Sequence, residues 1–462
     1  MHSADTIVAI ATPAGRGAVG IVRVSGPDAP RIAIDVLGHL PAPRHAEYAR
    51  FLAADGGTLD EGLALYFPAP GSFTGEHVLE LQGHGGTVVL DQLVRRLLEL
   101  GCRNARAGEF SERAYLNGKI DIAQAEAIAD LIDAGTAAAA RAAVRSLQGA
   151  FSARVNELQA RLTQLRAFTE AAIDFPDEEI EALSDTALDL RLEGIYAAFD
   201  SLLHAAKQGA LLRNGLTVVI AGKPNAGKSS LLNRLAGEDV AIVADLPGTT
   251  RDVLRAQVQL DGLPVNLIDT AGLRSAAEAD VVEAEGIRRA LAEVARADRV
   301  LYVVDAAAGR AADPEQLLAA IAPTAQAVPF TLVFNKIDLT QGLAADLAPS
   351  PGQAPAGNQP PRIYLSAKTG QGMDSLRSHL KTSAGYTGAD SSTLAARTRH
   401  LDALRRARGH FERAADALRS TRAMELFAED LRQSQLALSE ITGEFGSDDL
   451  LGEIFGSFCI GK

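Results

Sequence analysis

The chain has 462 residues, enough for roughly three domains, and its 47% hydrophobic and 22% charged residues are typical of a globular protein. Its net charge of −13 excludes a generally basic nucleic-acid-binding surface, so any RNA contact must use a local patch. No apolar run approaches the roughly 20 residues that span a bilayer, and the first residues lack the pattern of a signal peptide. The chain has only two cysteines, which argues against a disulfide framework. Together these observations predict a cytoplasmic protein.

Residues 1–118 are expected to form an α/β domain. Short β-branched runs alternate with a glycine-rich turn at residues 13–17 and with an amphipathic stretch. The strands predicted from this pattern are residues 6–11, 20–25 and 78–81, and the predicted helix is residues 86–100.

Arg23 and Glu80 each lie inside one of these apolar strands. A charged side chain at such a position either lies on a solvated face of the sheet or lines a ligand cleft. The pattern alone leaves both alternatives open.

Residues 119–212 change character and become rich in Ala and Leu with helical spacing. Phe175-Pro176 interrupts this pattern. The predicted helices are residues 123–134, 155–172 and 185–206.

Residues 213–379 alternate strand and helix signals, which predicts a doubly wound parallel sheet. Residues 347–361, rich in Pro, Ala and Gly, are expected to form a surface insertion. Helical periods return in residues 380–462, and we expect that segment to pack against residues 119–212. The predicted fold is therefore multidomain α/β plus all-α, with a phosphate-loop domain inserted into a discontinuous helical domain.

The stretch Gly222-Lys-Pro-Asn-Ala-Gly-Lys-Ser229 fits the pattern of a phosphate-binding loop. A predicted strand, residues 216–221, precedes it and a predicted helix, residues 230–236, follows it, so backbone N–H groups at the helix N-terminus can face an anion. Lys228 is expected to reach the outer phosphates and the Ser229 hydroxyl to bind magnesium.

Three further motifs follow predicted strands in the order found in guanine-nucleotide domains. Asp269-Thr-Ala-Gly272 places an acidic group near the magnesium and a backbone N–H near the γ-phosphate. Asp338 in Asn335-Lys-Ile-Asp338 can accept hydrogen bonds from the guanine N1–H and 2-amino groups, and Ser366-Ala-Lys368 can bind the guanine oxygen through its backbone. Together they predict a Ras-like G domain that binds GTP.

Gly248-Thr-Thr-Arg-Asp252 is expected to be the first switch loop, with Thr250 completing the magnesium shell. Leu273 occupies the place of the water-orienting Gln of Ras-like proteins, so hydrolysis needs another device. Asn225 is either a potassium ligand or a simple loop residue. Glu283 is a candidate for orienting the attacking water, although its acidic neighbours Glu278, Asp280 and Glu285 leave that choice open.

Several motifs together resemble the MnmE (TrmE) family of tRNA-modifying GTPases over essentially the whole chain. Besides the phosphate loop and the switch loop they are Gly15-Arg-Gly17, Leu79-Glu-Leu-Gln-Gly-His-Gly-Gly86, Gly108-Glu-Phe-Ser-Glu-Arg113 and a tail beginning at Ile441-Thr-Gly-Glu-Phe and ending at Phe458-Cys-Ile-Gly-Lys462. The tail is the most specific of them. The only clear departure from the family is the insertion at residues 347–361.

For the G domain, the resemblance implies hydrolysis that depends on potassium and on association of two G domains across a homodimer. The GTP-contacting set carried over is Asn225, Ala226, Gly227, Lys228, Ser229, Ser230, Ala244, Asp245, Leu246, Pro247, Gly248, Thr249, Thr250, Asp269, Thr270, Ala271, Gly272, Asn335, Lys336, Asp338, Ser366, Ala367 and Lys368. Within it Ser229 and Thr250 match magnesium ligands, and Asn225, Ala244, Leu246 and Thr249 match the potassium shell. Glu283 matches the catalytic glutamate.

For the N-terminal domain, the resemblance implies dimerisation and binding of a tetrahydrofolate one-carbon donor, in the 5-formyl or 5,10-methylene form. Arg23, Glu80, Lys119 and Lys462 match the folate-contacting positions. Glu80 can accept from the pteridine edge, and the basic residues can pair with the carboxylates of the folate tail. Which basic residue takes which end stays open.

The family acts with an FAD-containing partner of the MnmG type, forming a heterotetramer, and adds an aminomethyl-type (carboxymethylaminomethyl) group at carbon 5 of the tRNA wobble uridine. Cys459 is expected to act as a thiol in this chemistry, the alternative being an ordinary tail thiol, whereas Cys102 is expected to serve packing. An alternative function is a regulatory switch of the ribosome-assembly kind.

A group of arginines between residues 397 and 422 outnumbers the acidic residues there. It is either a solvated helix face or a patch that contacts tRNA phosphates. Its members are Arg397, Arg399, Arg405, Arg406, Arg408, Arg413, Arg419 and Arg422.

Overall fold

The structure is a computed structural model that describes residues 5–175, 185–238, 254–269, 297–307, 328–340, 360–388, 393–443, 454–456, 458 and 461. These residues form two compact units. Unit 1 contains residues 1–129, 146–199 and 402–462, and unit 2 contains residues 130–145 and 200–401. Among the helices in the described ranges, none combines the length and the hydropathy that crossing a bilayer requires.

Unit 1 begins with a six-stranded sheet whose order is β3-β4-β5-β2-β1-β6. Its strands are antiparallel except that β1 and β6 run parallel. Their bounds are β1 (Ile7–Ile10), β2 (Val19–Ser25), β3 (Glu47–Leu52), β4 (Thr58–Phe67), β5 (Val78–His84) and β6 (Arg103–Asn104).

The helices α1 (Ala29–Leu37) and α2 (Thr87–Glu99) cover one face of this sheet, which is why side chains along β2 alternate between buried and more exposed positions. The core includes the buried Phe51 and Leu81. Glycine ends α1 because Gly38 adopts a left-handed conformation, with φ of 84°.

Each helix predicted for residues 119–212 is present, and its observed length is close to or greater than the predicted length. Within unit 1, α6 (Ala150–Asp174) packs against α11 (Met424–Thr442), and Gln435 of α11 joins them through hydrogen bonds with Arg166 and Thr163. The bounds are α3 (Glu109–Leu116), α4 (Ile122–Ile132), α5 (Ala137–Leu147), α6 (Ala150–Asp174), α7 (Asp185–Asn214), α10 (Thr398–Thr421) and α11 (Met424–Thr442).

Unit 2 contains a second six-stranded sheet of order β12-β11-β10-β7-β9-β8. The expected parallel sheet is present, with one difference, because β8 pairs antiparallel with β9 at the edge. The strands are β7 (Leu216–Gly222), β8 (Leu254–Leu260), β9 (Leu263–Asp269), β10 (Arg299–Asp305), β11 (Phe330–Asn335) and β12 (Arg362–Tyr364).

Helices α8 (Lys228–Glu238) and α9 (Met373–Ala384) pack on this sheet, and the central strand β7 is buried on both faces. Burial on both faces explains why β7 is a nearly continuous apolar run rather than an alternating one. The fold class is therefore the predicted one, α/β sheets with helical segments.

Candidate nucleotide site and N-terminal ionic pair

The phosphate loop begins where β7 ends, at Gly222. This residue has φ of 146°, and a Cβ there would overlap the carbonyl oxygen of Val303 on the neighbouring strand. Only glycine fits such a conformation beside a close backbone. The strand can therefore turn directly into the loop at the carboxyl edge of the parallel sheet, where ligands of such sheets bind.

Two further residues of the loop have positive φ angles. Asn225 is exposed with φ of 61°, and Gly227 has φ of 92° just before α8 begins at Lys228. Asparagine tolerates this left-handed region better than most residues, which accounts for Asn225 as a loop former and leaves its side chain at the surface. The first backbone N–H groups of α8 therefore lie next to a loop whose conformation is set by these positive φ angles.

Lys228 bends back over this loop. Its Nζ donates to the carbonyl oxygens of Gly222 at 2.9 Å and Lys223 at 3.1 Å. An ammonium group held above loop carbonyls and a helix N-terminus gives the positive field that a nucleotide phosphate requires. The neighbouring hydroxyls of Ser229 and Ser230 lie on exposed residues of the same helix turn.

Asn335 connects the phosphate loop to the segments at residues 335–338 and 366–368. It is 2% exposed, and its Nδ2 donates to the carbonyl oxygen of Ala226 at 3.0 Å. Its Oδ1 accepts from the backbone N–H groups of Lys336 at 2.8 Å and Ala367 at 3.0 Å. One buried amide thus fixes three segments, so its role in the structure is to brace the site.

Asp338 lies at the surface just after β11, on a single turn of 3₁₀ helix. Its Oδ1 accepts a hydrogen bond from the buried Ser366 hydroxyl at 2.6 Å. This bond orients the Asp338 carboxylate at the carboxyl edge of the sheet. Lys336 adopts φ of 67° and pairs with Asp305 at 2.5 Å.

Asp305 was not among the predicted site residues. It ends β10, so its position at the carboxyl end of a parallel strand was the signal that could have identified it. Lys368, a further predicted residue of this site, is described and exposed. The remaining predicted residues lie outside the described residues, or have only their backbone described in the case of Asp269. Those outside are Ala244, Asp245, Leu246, Pro247, Gly248, Thr249, Thr250, Thr270, Ala271, Gly272 and Glu283.

In unit 1, Arg23 and Glu80 lie directly opposite each other on β2 and β5. Arg23 Nε donates to Glu80 Oε1 at 2.9 Å, and the two side chains are only 26% and 16% exposed. Gln82 donates to the other carboxylate oxygen at 3.4 Å, and the Arg23 guanidinium lies 5.7 Å from the centroid of the Phe110 ring. The pair is therefore half-buried rather than fully solvated.

Lys119 and Lys462 are placed differently from this pair. Lys119 is exposed and donates to the carbonyl oxygen of Pro70 at 3.1 Å, whereas Lys462 lies outside the described residues. Its neighbour Gly461 is described, and the Gly461 carbonyl oxygen lies 3.4 Å from Arg23 NH1. The structure thus brings Gly461 to the Arg23–Glu80 pair.

One of the two cysteines, Cys102, lies in the core of the N-terminal sheet. Burial raises the pKa of the Cys102 thiol to about 12, partly offset by the nearby Arg31, and the residue is 7% exposed in the core of the N-terminal sheet. This supports a packing role for Cys102. Cys459 lies outside the described residues.

Arginines of α10 and the residue just before it are largely paired with carboxylates. Such pairing favours a charged helix face over a free phosphate-binding patch. The pairs are Arg397 with Asp130, Arg405 with Asp402, Arg406 with Glu440, Arg408 with Glu412, Arg413 with Asp430 and Arg419 with Asp189.

Comparison with known proteins covers both halves of the chain. The family model of the GTP-binding protein TrmE N-terminus matches residues 6–119, and that of the MnmE helical domain matches residues 122–459. The tRNA modification GTPase MnmE of Pectobacterium carotovorum is 56% identical over 465 residues and covers 100% of both chains. The protein of the same name from Sodalis glossinidius is also 56% identical, over 464 residues and 100% of both chains.

Among solved structures, the G domain of the T. maritima FeoB iron transporter is 28% identical, with a TM-score of 0.26 over 37% of this chain and 98% of that one. Aquifex aeolicus Era bound to GDP and AlF4− is 26% identical, with a TM-score of 0.27 over 42% of this chain and 66% of that one. The full-length identity to the MnmE proteins and the two matching family models decide the assignment. This chain belongs to the MnmE (TrmE) family of GTPases.

Proposed function

We propose that this GTPase uses GTP hydrolysis in the modification of the tRNA wobble uridine. The observation that carries the proposal is the identity of 56% to tRNA modification GTPases over the full length. The oriented Asp338 carboxylate, the Asn335 brace and the loop around Lys228 support a guanine-nucleotide site at this edge of the sheet. The proposed domains are residues 1–118, 119–212, 213–379 and 380–462.

For the nucleotide, the proposed contacts are the predicted set from Asn225 to Lys368. Lys228 would hold the outer phosphates and Asp338 the guanine edge. Magnesium, held by Ser229 and Thr250, would neutralise charge that develops on the phosphates. The exposed Ser229 at the start of α8 has the right chemistry for this hard cation.

Potassium is the proposed replacement for an arginine finger, with Asn225, Ala244, Leu246 and Thr249 as its ligands. Asn225 is an exposed residue of the phosphate loop with a left-handed backbone, and its amide oxygen would serve as a ligand of the monovalent cation. Glu283 is the proposed water-orienting residue. Such electrostatic stabilisation acts on the transition state, so it should appear in kcat.

The test compares GTP hydrolysis in potassium chloride and in sodium chloride at equal ionic strength. We expect about tenfold or faster hydrolysis in potassium, and we expect Asn225→Ala to abolish that difference. The matched control is Lys223→Ala, because Lys223 is an exposed residue of the same loop and it is its backbone carbonyl oxygen that accepts the hydrogen bond from Lys228. Equal wild-type rates in the two salts would refute the potassium mechanism and would favour a binding switch of the ribosome-assembly kind.

For the modification itself, we propose that the Arg23–Glu80 pair, with Lys119 and Lys462, binds a tetrahydrofolate one-carbon donor. The half-buried pair offers a cation for a carboxylate and an anion for the pteridine amide edge, and the neighbouring Phe110 ring adds an apolar surface. The bound folate would supply the carbon that is added to the base.

The proposed partners are tRNA, an FAD-containing subunit of the MnmG type, and a second copy of this chain through the N-terminal domain, all in the cytoplasm. Cys459 is the proposed thiol of the modification. A Cys459→Ser variant should hydrolyse GTP normally and lose tRNA modification, measured by nucleoside analysis of tRNA from a complemented deletion strain. Full modification by that variant would remove Cys459 from the mechanism.

A further inference from the structure

Near the end of the chain, the described residues Ile454, Phe455, Phe458 and Gly461 are buried. Ile454, Phe455 and Phe458 are at most 6% exposed and cluster with Ile122 and other apolar residues of the α3–α4 region. The surface of unit 1 that contacts these residues must therefore be complementary to them.

Two ring contacts fix the tail on that surface. The Phe455 ring centroid lies 6.2 Å from that of Tyr115 on α3 and 5.6 Å from that of Phe458, which meets it edge to face. The Phe458 N–H also donates to the Phe455 carbonyl oxygen at 3.0 Å. Aromatic contacts of this geometry add to the free energy of burying the rings.

Gly108 is the point of closest approach between α3 and the tail. It precedes α3 with φ of 65°, and a Cβ on it would overlap the Phe455 carbonyl oxygen and lie 3.1 Å from the Phe458 Cβ. The absence of a side chain at residue 108 is therefore what allows the backbones to meet.

An ionic network holds the next residue, so this approach is made by a rigid element. Glu109 is 2% exposed and accepts hydrogen bonds from Arg103 at 2.6 Å and Arg113 at 3.1 Å. Arg113 in turn contacts Asp5 at 2.8 Å and Glu76 at 3.2 Å. The start of α3 cannot move away from the tail without breaking buried ion pairs.

Beyond Phe458 the tail reaches the sheet. Gly461 has φ of 97°, and a Cβ on it would overlap the carbonyl oxygen of Ile10 at the end of β1. The Gly461 carbonyl oxygen lies 3.4 Å from Arg23 NH1, while Arg23 Nε is paired with Glu80. Gly461 of the tail therefore lies directly beside the Arg23–Glu80 pair.

We propose that Gly108 is a positioning residue that seats the C-terminal tail, and that the seated tail completes the Arg23–Glu80 site for its carboxylate-bearing one-carbon ligand. This inference rests on the proposed folate site. Gly108 itself does not touch the ligand and acts through Phe455, Phe458 and Gly461.

The chain offers a matched control for this residue. Gly118 has the same φ of 65° as Gly108, but a Cβ on Gly118 would meet nothing within 4 Å. The substitutions Gly108→Ala and Gly118→Ala therefore impose the same backbone strain, and only the first collides with the tail.

The first measurement is the rate at which a thiol reagent labels Cys459 in the native protein. Cys102 is buried with a pKa of about 12 and serves as the unreactive internal reference. Because the flanking Phe458 and Gly461 are buried when the tail is seated, we expect Gly108→Ala to raise labelling about tenfold and Gly118→Ala to leave it unchanged. Equal labelling of the two variants would overturn the proposed seat.

The second measurement is the dissociation constant for 5-formyltetrahydrofolate by calorimetry. We expect it to rise about tenfold in Gly108→Ala, with GTP hydrolysis unchanged. Increased labelling with unchanged folate affinity would overturn the positioning role. If the wild-type protein binds no folate, the proposed function fails, and the labelling comparison still decides whether Gly108 seats the tail.

A second variant protects the test against misfolding of Gly108→Ala. Phe458→Ala removes one of the paired rings without changing α3, so it should also raise labelling of Cys459 and weaken folate binding. If Phe458→Ala leaves both measurements at the wild-type values, the tail is not held by this contact and the proposal is wrong.

Discussion

The phosphate loop of unit 2 and the Arg23–Glu80 pair of unit 1 are built in opposite ways. The loop is contiguous in sequence, and its shape follows from glycine backbone angles and from one strand entering one helix. The pair joins residues 57 positions apart, and the tail carbonyl beside it is 438 positions from Arg23. The conformation of the contiguous loop depends on its own residues. The geometry of the Arg23–Glu80 pair depends on packing by residues elsewhere in the chain.

The largest effect should come from the loop. We expect Lys228→Ala to lower kcat for GTP hydrolysis about a thousandfold, because the ammonium charge over the phosphates is lost. A radiolabelled-phosphate release assay measures this. Lys223→Ala in the same loop should stay within about twofold of wild type, and a comparable loss in that control would mean that the loop is sensitive to any charge removal.

The network behind the assembled region should be the main source of its stability. We expect Glu109→Gln to lower the free energy of unfolding by about 3 kcal/mol, because Arg103 and Arg113 lose a buried carboxylate. Urea denaturation measures this, and Glu112→Gln, whose pair with Arg106 is more exposed, should cost about 0.5 kcal/mol. Equal losses in the two variants would contradict a special role for Glu109.

The same network predicts a pH dependence. Burial alone would raise the pKa of Glu109, but hydrogen bonds from Arg103, the Arg106 backbone and Arg113 lower it to about 2, from an ordinary 4.5. A depressed carboxyl pKa contributes stability that is present above pH 4.5 and is lost as the pH falls toward 2. The Glu109→Gln protein should therefore have a flatter stability profile between pH 4.5 and 2 than the wild type.

Base recognition should change when the Asp338 carboxylate is replaced by an amide. We expect Asp338→Asn to weaken GTP binding about a hundredfold and to improve xanthosine triphosphate binding, because an amide can donate to the xanthine 2-oxygen. Competition with a fluorescent nucleotide measures both constants. Asp374→Asn, on a fully exposed residue of the same unit, is the control, and unchanged preference in Asp338→Asn would place base recognition elsewhere.

The smallest of these effects concerns the assembled pair directly. We expect Arg23→Ala to raise the dissociation constant for 5-formyltetrahydrofolate about tenfold, since one charge-assisted bond is lost. Arg50→Ala, whose ion pair with Glu61 lies at the exposed edge of the same sheet, should leave that constant unchanged. The same weakening in both variants would indicate a general charge effect.

Sequence patterns predicted the regular elements best where hydrophobic spacing was strong. Residues 78–81 and 86–100 were predicted as a strand and a helix, and β5 and α2 occupy residues 78–84 and 87–99. The strands β3 and β4 were not predicted, because both contain charged residues such as Glu47, Arg50 and Glu61 and neither contains a run of β-branched residues. Their pairing with each other and with β5 stabilises them instead.

Within the candidate sites, the sequence identified the residue types and the structure decided how they are used. Asn335 was predicted to contact the nucleotide, and its position as a buried brace between Ala226 and Ala367 depends on strands that meet only in the folded sheet. The partner of Asp305 was likewise not predictable, since Lys336 directly follows β11, which lies beside β10 only in the folded sheet. No local pattern specifies such cross-strand partners.

The sequence by itself determined the family, the fold class and the phosphate loop, because glycine spacing and hydrophobic period act through local backbone geometry. Only the tertiary structure decided whether Arg23 and Glu80 lie on a solvated face or form a half-buried pair, and where the tail lies. Both outcomes depend on contacts between residues far apart in the chain. Such contacts stabilise the fold only once burial has excluded water from them.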